Sequence, residues 1–279
     1  MKTYATLLCV VLLLGIASAG HCQWGRMGVM NAFSTARWAG MGGAGIAAAN
    51  DAAAVQFNPA NLPRMQFDSA DMGGPLARGG TATYGSGHHD DLSVNAGVVG
   101  AGGKWGAGFS YERPSGSGWQ DNIYGLGFGA SADTGAWSWG VSATRDHEQC
   151  CGTWTWYNAG VICAIPQPSG APITAGLLVT NILEDDNNPR FINLGVAVPV
   201  GERILLAADW WDITDEWDGQ YNFGAEVAVA PGWCVRGGRL DEQWTAGVGF
   251  RQGRWSLDAA FIEMGWTDNW WLVSGSIPF

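Results

Sequence analysis

Charge is what this sequence has least of. Asp, Glu, Lys and Arg make up 14% of its residues, against about 25% in ordinary soluble domains, which argues against a secreted globule with a hydrated outer surface. The 14 basic residues are outnumbered by 25 acidic ones, and the formal charge of −11 argues against nucleic acid as a partner. Past residue 19 no apolar run approaches the roughly 20 residues that a membrane helix needs. A mature chain that crosses a membrane therefore does so with strands. Cysteine is sparse and odd in number: Cys22, Cys150, Cys151, Cys163 and Cys234 follow residue 19, so they cannot all pair within one chain. That disfavours a cysteine scaffold and leaves a single loop disulfide open.

Chemical constellations are also missing. His88-His89-Asp90-Asp91 and Asp146-His147-Glu148 with Cys150-Cys151 carry metal-capable side chains, but neither has zinc-site spacing, and both read as solvated outer loops. Ser115-Gly116-Ser117 lacks the strand-turn-helix context of a nucleophile elbow. The expectation is a chain without a metal, without a cofactor and without enzymatic activity.

What is present begins with an export signal. Lys2, an apolar core over Leu7 to Ile16, and Ala17-Ser18-Ala19 form a leader and its cleavage site. His21 stands where a lipoprotein site before Cys22 needs a small residue. The chain is also rich in Trp (17) and Gly (43), a composition suited to a wall with lipid on one side and a tightly filled lumen on the other.

From about residue 67 onward, apolar residues alternate with small or polar ones in segments near ten residues, the length of a tilted membrane strand. The pattern predicts strands over 66–72, 91–100, 103–112, 121–132, 136–145, 154–165, 173–181, 190–199, 203–212, 220–230, 233–239, 244–251, 254–262 and 270–279. Short connections such as Ala101-Gly102, Pro231-Gly232 and Gln252-Gly253 alternate with longer ones at 73–90, 113–120, 146–153, 182–189, 213–219 and 263–269. Alternating short periplasmic turns and longer outer loops characterise bacterial barrels; the Pro-rich stretch 166–172 is the exception. Most carboxylates fall in the long connections, making one end an acidic rim. Taking Gln252-Gly253 as a two-residue turn, Phe250 faces Trp255, Val248 faces Leu257, Ala246 faces Ala259 and Trp244 faces Phe261. That gives an apolar outer band between two aromatic pairs about 20 Å apart. Sparse charges at Lys104, Glu112, Asp209, Glu226, Arg251 and Asp258 are expected inside, paired with one another or with Arg37, or lining a solute path.

Before the strands lies Ala36-Arg37-Trp38-Ala39-Gly40-Met41-Gly42-Gly43-Ala44-Gly45, followed by Asn50-Asp51 and Phe57-Asn58-Pro59-Ala60-Asn61-Leu62. Its clustered glycines allow close backbone approach. Asp51 is placed to cap a helix over 52–57, which Asn58-Pro59 stops. Arg37, Gly40, Met41, Gly42, Gly43, Ala44, Asp51, Asn58, Pro59, Ala60 and Leu62 closely resemble the amino-terminal pattern of the FadL-type hydrophobic-compound transporter superfamily of outer-membrane barrels. The likeness is strongest to the branch of PorV-like proteins of type IX secretion; Asn50 and Asn61 depart from the usual Asp and Gly.

The resemblance implies an all-β, transmembrane, antiparallel up-and-down barrel of about 14 strands with an N-terminal plug containing a short helix. The expected organisation is a signal peptide (1–19), a plug (20–65) and an outer-membrane barrel (66–279). Arg37, Gly40, Met41, Gly42, Gly43, Asp51, Asn58 and Pro59 are then the plug and its hinges, and Met41, Ile46, Val55 and Phe57 the residues that meet a solute. The terminal Phe279 resembles the signal read by the barrel-assembly machinery. The expected function is passage of a small hydrophobic compound by a monomer seated in the lipid bilayer among lipopolysaccharide. The alternative is a PorV-like platform for secretion or assembly. A third rival, a soluble Trp-rich propeller, would need polar residues where Ala246, Val248 and Leu257 stand.

Overall fold

The computed structural model describes residues 34–66, 76–86, 90–100, 103–116, 119–120, 122–148, 152–168, 170–184, 189–216, 219–264 and 269–278. The leader, Cys22, His88, His89, Cys150, Cys151 and the terminal Phe279 lie outside the described residues.

Fourteen strands close into one antiparallel barrel: β1 (Leu76–Ser86), β2 (Asp90–Gly100), β3 (Trp105–Gly116), β5 (Asn122–Ser131), β6 (Trp137–Glu148), β7 (Gly152–Ile165), β8 (Ile173–Thr180), β9 (Phe191–Val200), β10 (Ile204–Trp211), β11 (Gln220–Ala230), β12 (Trp233–Leu240), β13 (Gln243–Gln252), β14 (Trp255–Ile262) and β15 (Trp270–Pro278). A two-residue β4 (Trp119–Gln120) pairs only with the end of β3. Each wall strand pairs with its sequence neighbours, and β1 closes the ring on β15, with Gly79 opposite Pro278 and Ser86 opposite Trp271. Closure leaves the wall without a free edge, so every strand finds backbone partners inside lipid.

The first wall strand is Leu76–Ser86, inside the stretch 73–90 expected to be a connection; the expected strand 66–72 lies, beyond Gln66, outside the described residues. Its segment, Gly79-Gly80-Thr81-Ala82-Thr83, carries alternation in side-chain size and polarity rather than hydropathy, so it reads as loop. The outer connections are shorter than expected where strands run on. β3 continues to Gly116, β6 to Glu148, and β7 begins at Gly152. At about 3.3 Å per residue, the 14-residue β7 is about 46 Å long and projects beyond a band about 25 Å tall.

The β13–β14 turn is Gly253-Arg254, since Gln252 pairs with Trp255, Phe250 with Leu257 and Val248 with Ala259. The register is thus two residues off the predicted one, a shift that leaves every side chain on its predicted face. Gly253 has φ 57°; glycine at the first central position is what a tight hairpin of this kind favours. The aromatic contact across the hairpin survives diagonally, Phe250 and Trp255 having ring centroids 5.5 Å apart.

The outward face is apolar. Tyr124, Leu126, Trp139, Val141, Val248 and Leu257 are all exposed, and aromatic contacts such as Trp233–Phe250 and Phe261–Trp271 mark the two edges of the band. The inward face carries Asn95, Ser110, Asn193, Asn222, Thr245 and Ser274, each nearly fully buried. Toward the outer ends of β9, β10, β12, β14 and β15 it turns apolar, with Phe191, Trp211, Leu240, Ile262, Trp270 and Leu272 forming a partial collar, while Asp146 of β6 and Gln220 of β11 keep it polar elsewhere.

Candidate functional site: the plugged lumen

The segment 34–66 fills the barrel. Thr35 is extended (φ −149°) and its Oγ1 accepts from the Trp38 amide at 3.4 Å, starting α1 (Ala36–Gly40). Gly42 and Gly43, with φ of 64° and 71°, turn the chain where a side chain would be strained. Helix α2 covers Ala54–Phe57, shorter than the expected 52–57, and its N-cap is Ala53 without a side-chain bond. Asp51 serves one turn earlier: its carboxylate accepts from the Ala53 amide at 3.0 Å and from the Trp38 indole at 3.0 and 3.1 Å. Asn58 is extended and its Oδ1 accepts from Ala60 N, opening a 3-10 helix at Pro59–Arg64. Its Nδ2 donates to the Leu177 carbonyl on β8.

The wall makes room by omitting side chains. A Cβ at Gly106 would strike the Leu62 backbone, at Gly129 and Gly140 the Pro59 backbone, at Gly160 the Asn58 side chain, and at Gly224 and Gly238 the Met41 and Gly42 backbone. These six glycines lie on six strands, and each removes the atom that would keep the plug backbone from touching the wall. Between the glycine contacts the plug packs apolar side chains. Trp38, Met41, Ile46 and Phe57 are fully buried with Ile162, Leu178 and Trp211, and Trp38 meets Phe57 edge-on at 5.9 Å. Val55 packs with Leu62, Met65 and Val99. The four residues expected to meet a solute therefore sit in closed packing, and none lines the cavity described below.

Charges fasten the plug. Arg37 Nε and Nη2 each donate to Glu226 on β11 at 3.1 Å, and Nη1 donates to Asn50 at 2.8 Å. Glu226 also accepts from Arg236 Nε at 2.6 Å, and Arg236 Nη1 lies 2.7 Å from Asp258 on β14. The chain Asp51–Arg37–Glu226–Arg236–Asp258 thus alternates in sign. Burial acts to lower the pKa of Arg37, but Glu226 and Asp51 outweigh it and hold the guanidinium above its ordinary value. Burial pushes the Asp51 carboxyl up, against the pull of Arg37 and the Trp38 indole. Across the barrel Asp209 on β10 accepts from the Gly45 and Ile46 amides at 2.7 and 2.9 Å. Glu112 accepts from Gln56 of α2.

One of the expected lumen charges stands elsewhere: Lys104 is on a turn, 70% exposed, 3.3 Å from Asp133. Arg251, exposed at the short-turn end of β13, borders the mouth of the cavity below α1. Arg236 was absent from the sequence-derived set; strand parity with Gly238 and Leu240 was the signal that pointed inward.

Beneath α1, toward the short-turn end that in outer-membrane barrels faces the periplasm, lies a polar cavity of about 450 Å³. Arg37, Asp51, Glu226, Arg236 and Asp258 line it, with Thr81, Ser256, Ser274 and Ser276. On the other side of α1, Ala36 and Ala39 pack against Leu240, Ile262, Trp270 and Leu272 of the collar. Helix α1 therefore lies between an apolar sector of the outer lumen wall and a polar cavity on its inner side.

No family model matches the chain, and no curated protein does. Solved structures do. The toluene transporter TodX of P. putida is 12% identical, with a TM-score of 0.53 over 87% of this chain and 97% of that one. A TodX deltaS2S3 mutant, described as a monoaromatic hydrocarbon channel, gives 0.54 at 11% identity over 88% and 97%. The Acinetobacter baumannii outer membrane protein Omp33 gives 0.51 at 11% identity over 74% and 98%. At these identities the likeness is one of fold. The closed barrel with its apolar outer band is that of a bacterial outer-membrane protein, and nothing in the likeness singles out the PorV-like branch.

Proposed function

We propose that this barrel passes a small apolar compound across the outer membrane, with the plug as its gate. The observation that carries the reading is an apolar sector of the inward face, Leu240, Ile262, Trp270 and Leu272 at the outer ends of β12, β14 and β15, packed directly against α1. A wall built only for a water-filled pore has no use for buried Leu240, Ile262, Trp270 and Leu272 there. TodX, similar in fold, is described as a toluene transporter and a monoaromatic hydrocarbon channel, which supports the same class of solute. A barrel filled to Cβ contact at mid-height excludes a wide open channel, so passage requires displacement of α1 and of the Arg37–Glu226 pair. No catalytic step is part of the proposal.

The test is mass spectrometry of organic extracts of protein purified in mild detergent, against a variant lacking residues 36–63. A defined apolar compound on the intact protein and absent from the variant supports the reading. An empty barrel carrying stoichiometric partner proteins overturns it in favour of a secretion platform.

A further inference from the structure

At one place on the outer rim the wall sorts charge by strand parity. On β3, Glu112 points inward to the plug, and the next residue, Arg113, is exposed on the outward face that also carries Trp105 and Phe109. On β6, Asp146 is buried in the lumen while Arg145 and His147, on either side of it, are exposed outward. Between them runs β5, whose outward Tyr124 is paired with Tyr111 of β3 and with Arg145 of β6. The two tyrosine rings lie 5.2 Å apart.

Register fixes the geometry. Arg113 is level with His147, and Arg145 sits two residues lower on the strand beyond β5. Two interstrand steps of about 4.8 Å and two residues of about 3.3 Å place the arginine Cα atoms about 12 Å apart. Both lie just beyond the apolar band, at the depth of outer-leaflet headgroups.

The other arginines at this end are committed. Arg239 donates to the Asp241 carbonyl and lies over the Trp244 ring, and Arg190 pairs with Glu184. Among the described residues, Arg113 and Arg145 have no ion-pair partner, and no carboxylate shares their outward face on β3, β5 or β6. Guanidinium groups without an ion-pair partner among the described residues, on a molecule of charge −11, are suited to phosphate oxygens, which they bind with paired N–H donors; the register also gives Asp90 of neighbouring β2 the parity of Arg113. The two mutually tilted tyrosine rings beside them offer flat faces to a sugar ring, with the Tyr111 hydroxyl donating to Asn122 Oδ1 at 2.9 Å.

We propose that the outward face of β3, β5 and β6 at the outer rim binds the phosphorylated glycolipid of the outer leaflet, with Arg113 and Arg145 on its phosphates and Tyr111 and Tyr124 against its sugars. The site is independent of what the lumen carries.

The test is native mass spectrometry of detergent-purified protein titrated with diphosphorylated lipid A in the presence of EDTA, which removes any bridging of the acidic rim by divalent cations. Wild type binds one lipid A in preference to phosphatidylglycerol. Arg113→Gln with Arg145→Gln weakens binding at least tenfold, as does enzymatic removal of the phosphates, while Arg251→Gln with Arg254→Gln at the opposite end leaves it unchanged. Equal binding by the Arg113/Arg145 variant, equal affinity for phosphatidylglycerol, or charge-dependent dimerisation of the protein in place of lipid binding overturns the assignment. Heat-modifiable migration on gels confirms that each variant is folded.

Discussion

Glu226→Gln is the perturbation that most sharply tests how the plug is held. Glu226 accepts three charge-assisted bonds, two from Arg37 and one from Arg236. Among the described residues it alone accepts hydrogen bonds from both the plug guanidinium and the wall guanidinium. The substitution keeps the shape, removes the charge and turns an amide donor toward two cations. Breaking a buried ion pair while leaving its partner in place costs roughly 3–5 kcal/mol. Arg236 retains Asp258 and Arg37 retains Asn50 and Asp51, so the low end applies, about 3 kcal/mol. The assay is equilibrium urea unfolding in fluid phospholipid vesicles, run as a double-mutant cycle with Arg37→Met. A coupling of about 1.5–3 kcal/mol is expected for a bond between charged groups. A loss below about 0.5 kcal/mol with additive single variants would refute the reasoning, because it would mean the charge chain is not what seats α1.

Three further outcomes follow from contacts elsewhere in the lumen. Gly140→Val drives a side chain into the Pro59 backbone, so the barrel should still migrate as a folded species while residues 34–65 become cleavable in limited proteolysis; a protected plug contradicts this. Asp209→Asn weakens acceptance of two plug amides, and exchange at Gly45 and Ile46 should quicken about tenfold or more, the equivalent of about 1.4 kcal/mol or more. Gly253→Val forces a branched residue to φ 57° and should destabilise the β13–β14 hairpin by about 1–2 kcal/mol, read as slower insertion into vesicles.

Much of the wall was legible because lipid and lumen impose a period of two on every strand. Val248, Leu257 and Trp255 face outward and Asp258 inward whichever two-residue turn is chosen, so the faces of that hairpin stood even though Gly253-Arg254, not Gln252-Gly253, makes the turn. β1 escaped detection for a related reason. Gly79, Gly80 and Thr81 are small where β1 pairs with β15 and borders the cavity, and small residues carry no hydropathy signal. The plug posed the opposite difficulty. Its motif marked a compact segment, but Asp51 binds the Trp38 indole instead of capping α2, a contact across thirteen residues that local capping rules do not contain. Gly106, Gly140 and Gly160 read as ordinary strand glycines until the plug backbone is seen against them. Lys104 shares strand register with inward residues and is nonetheless exposed, because it precedes the first residue of β3 and belongs to the turn.

The central claim is that an apolar solute crosses only when α1 leaves its seat. The Ala36 amide of α1 donates to Ser274 Oγ on β15 at 2.7 Å, and both positions already carry a Cβ, which makes Ala36→Cys with Ser274→Cys a candidate disulfide lock. The decisive measurement is uptake of radiolabelled toluene into a lumenal trapping enzyme by asymmetric proteoliposomes with lipopolysaccharide in the outer leaflet, bearing this double variant oxidised and reduced. Passage past a displaced α1 gives uptake above protein-free vesicles in the reduced form and only the protein-free rate in the oxidised form. Equal uptake in both forms would place the path outside the plugged lumen and contradict the account.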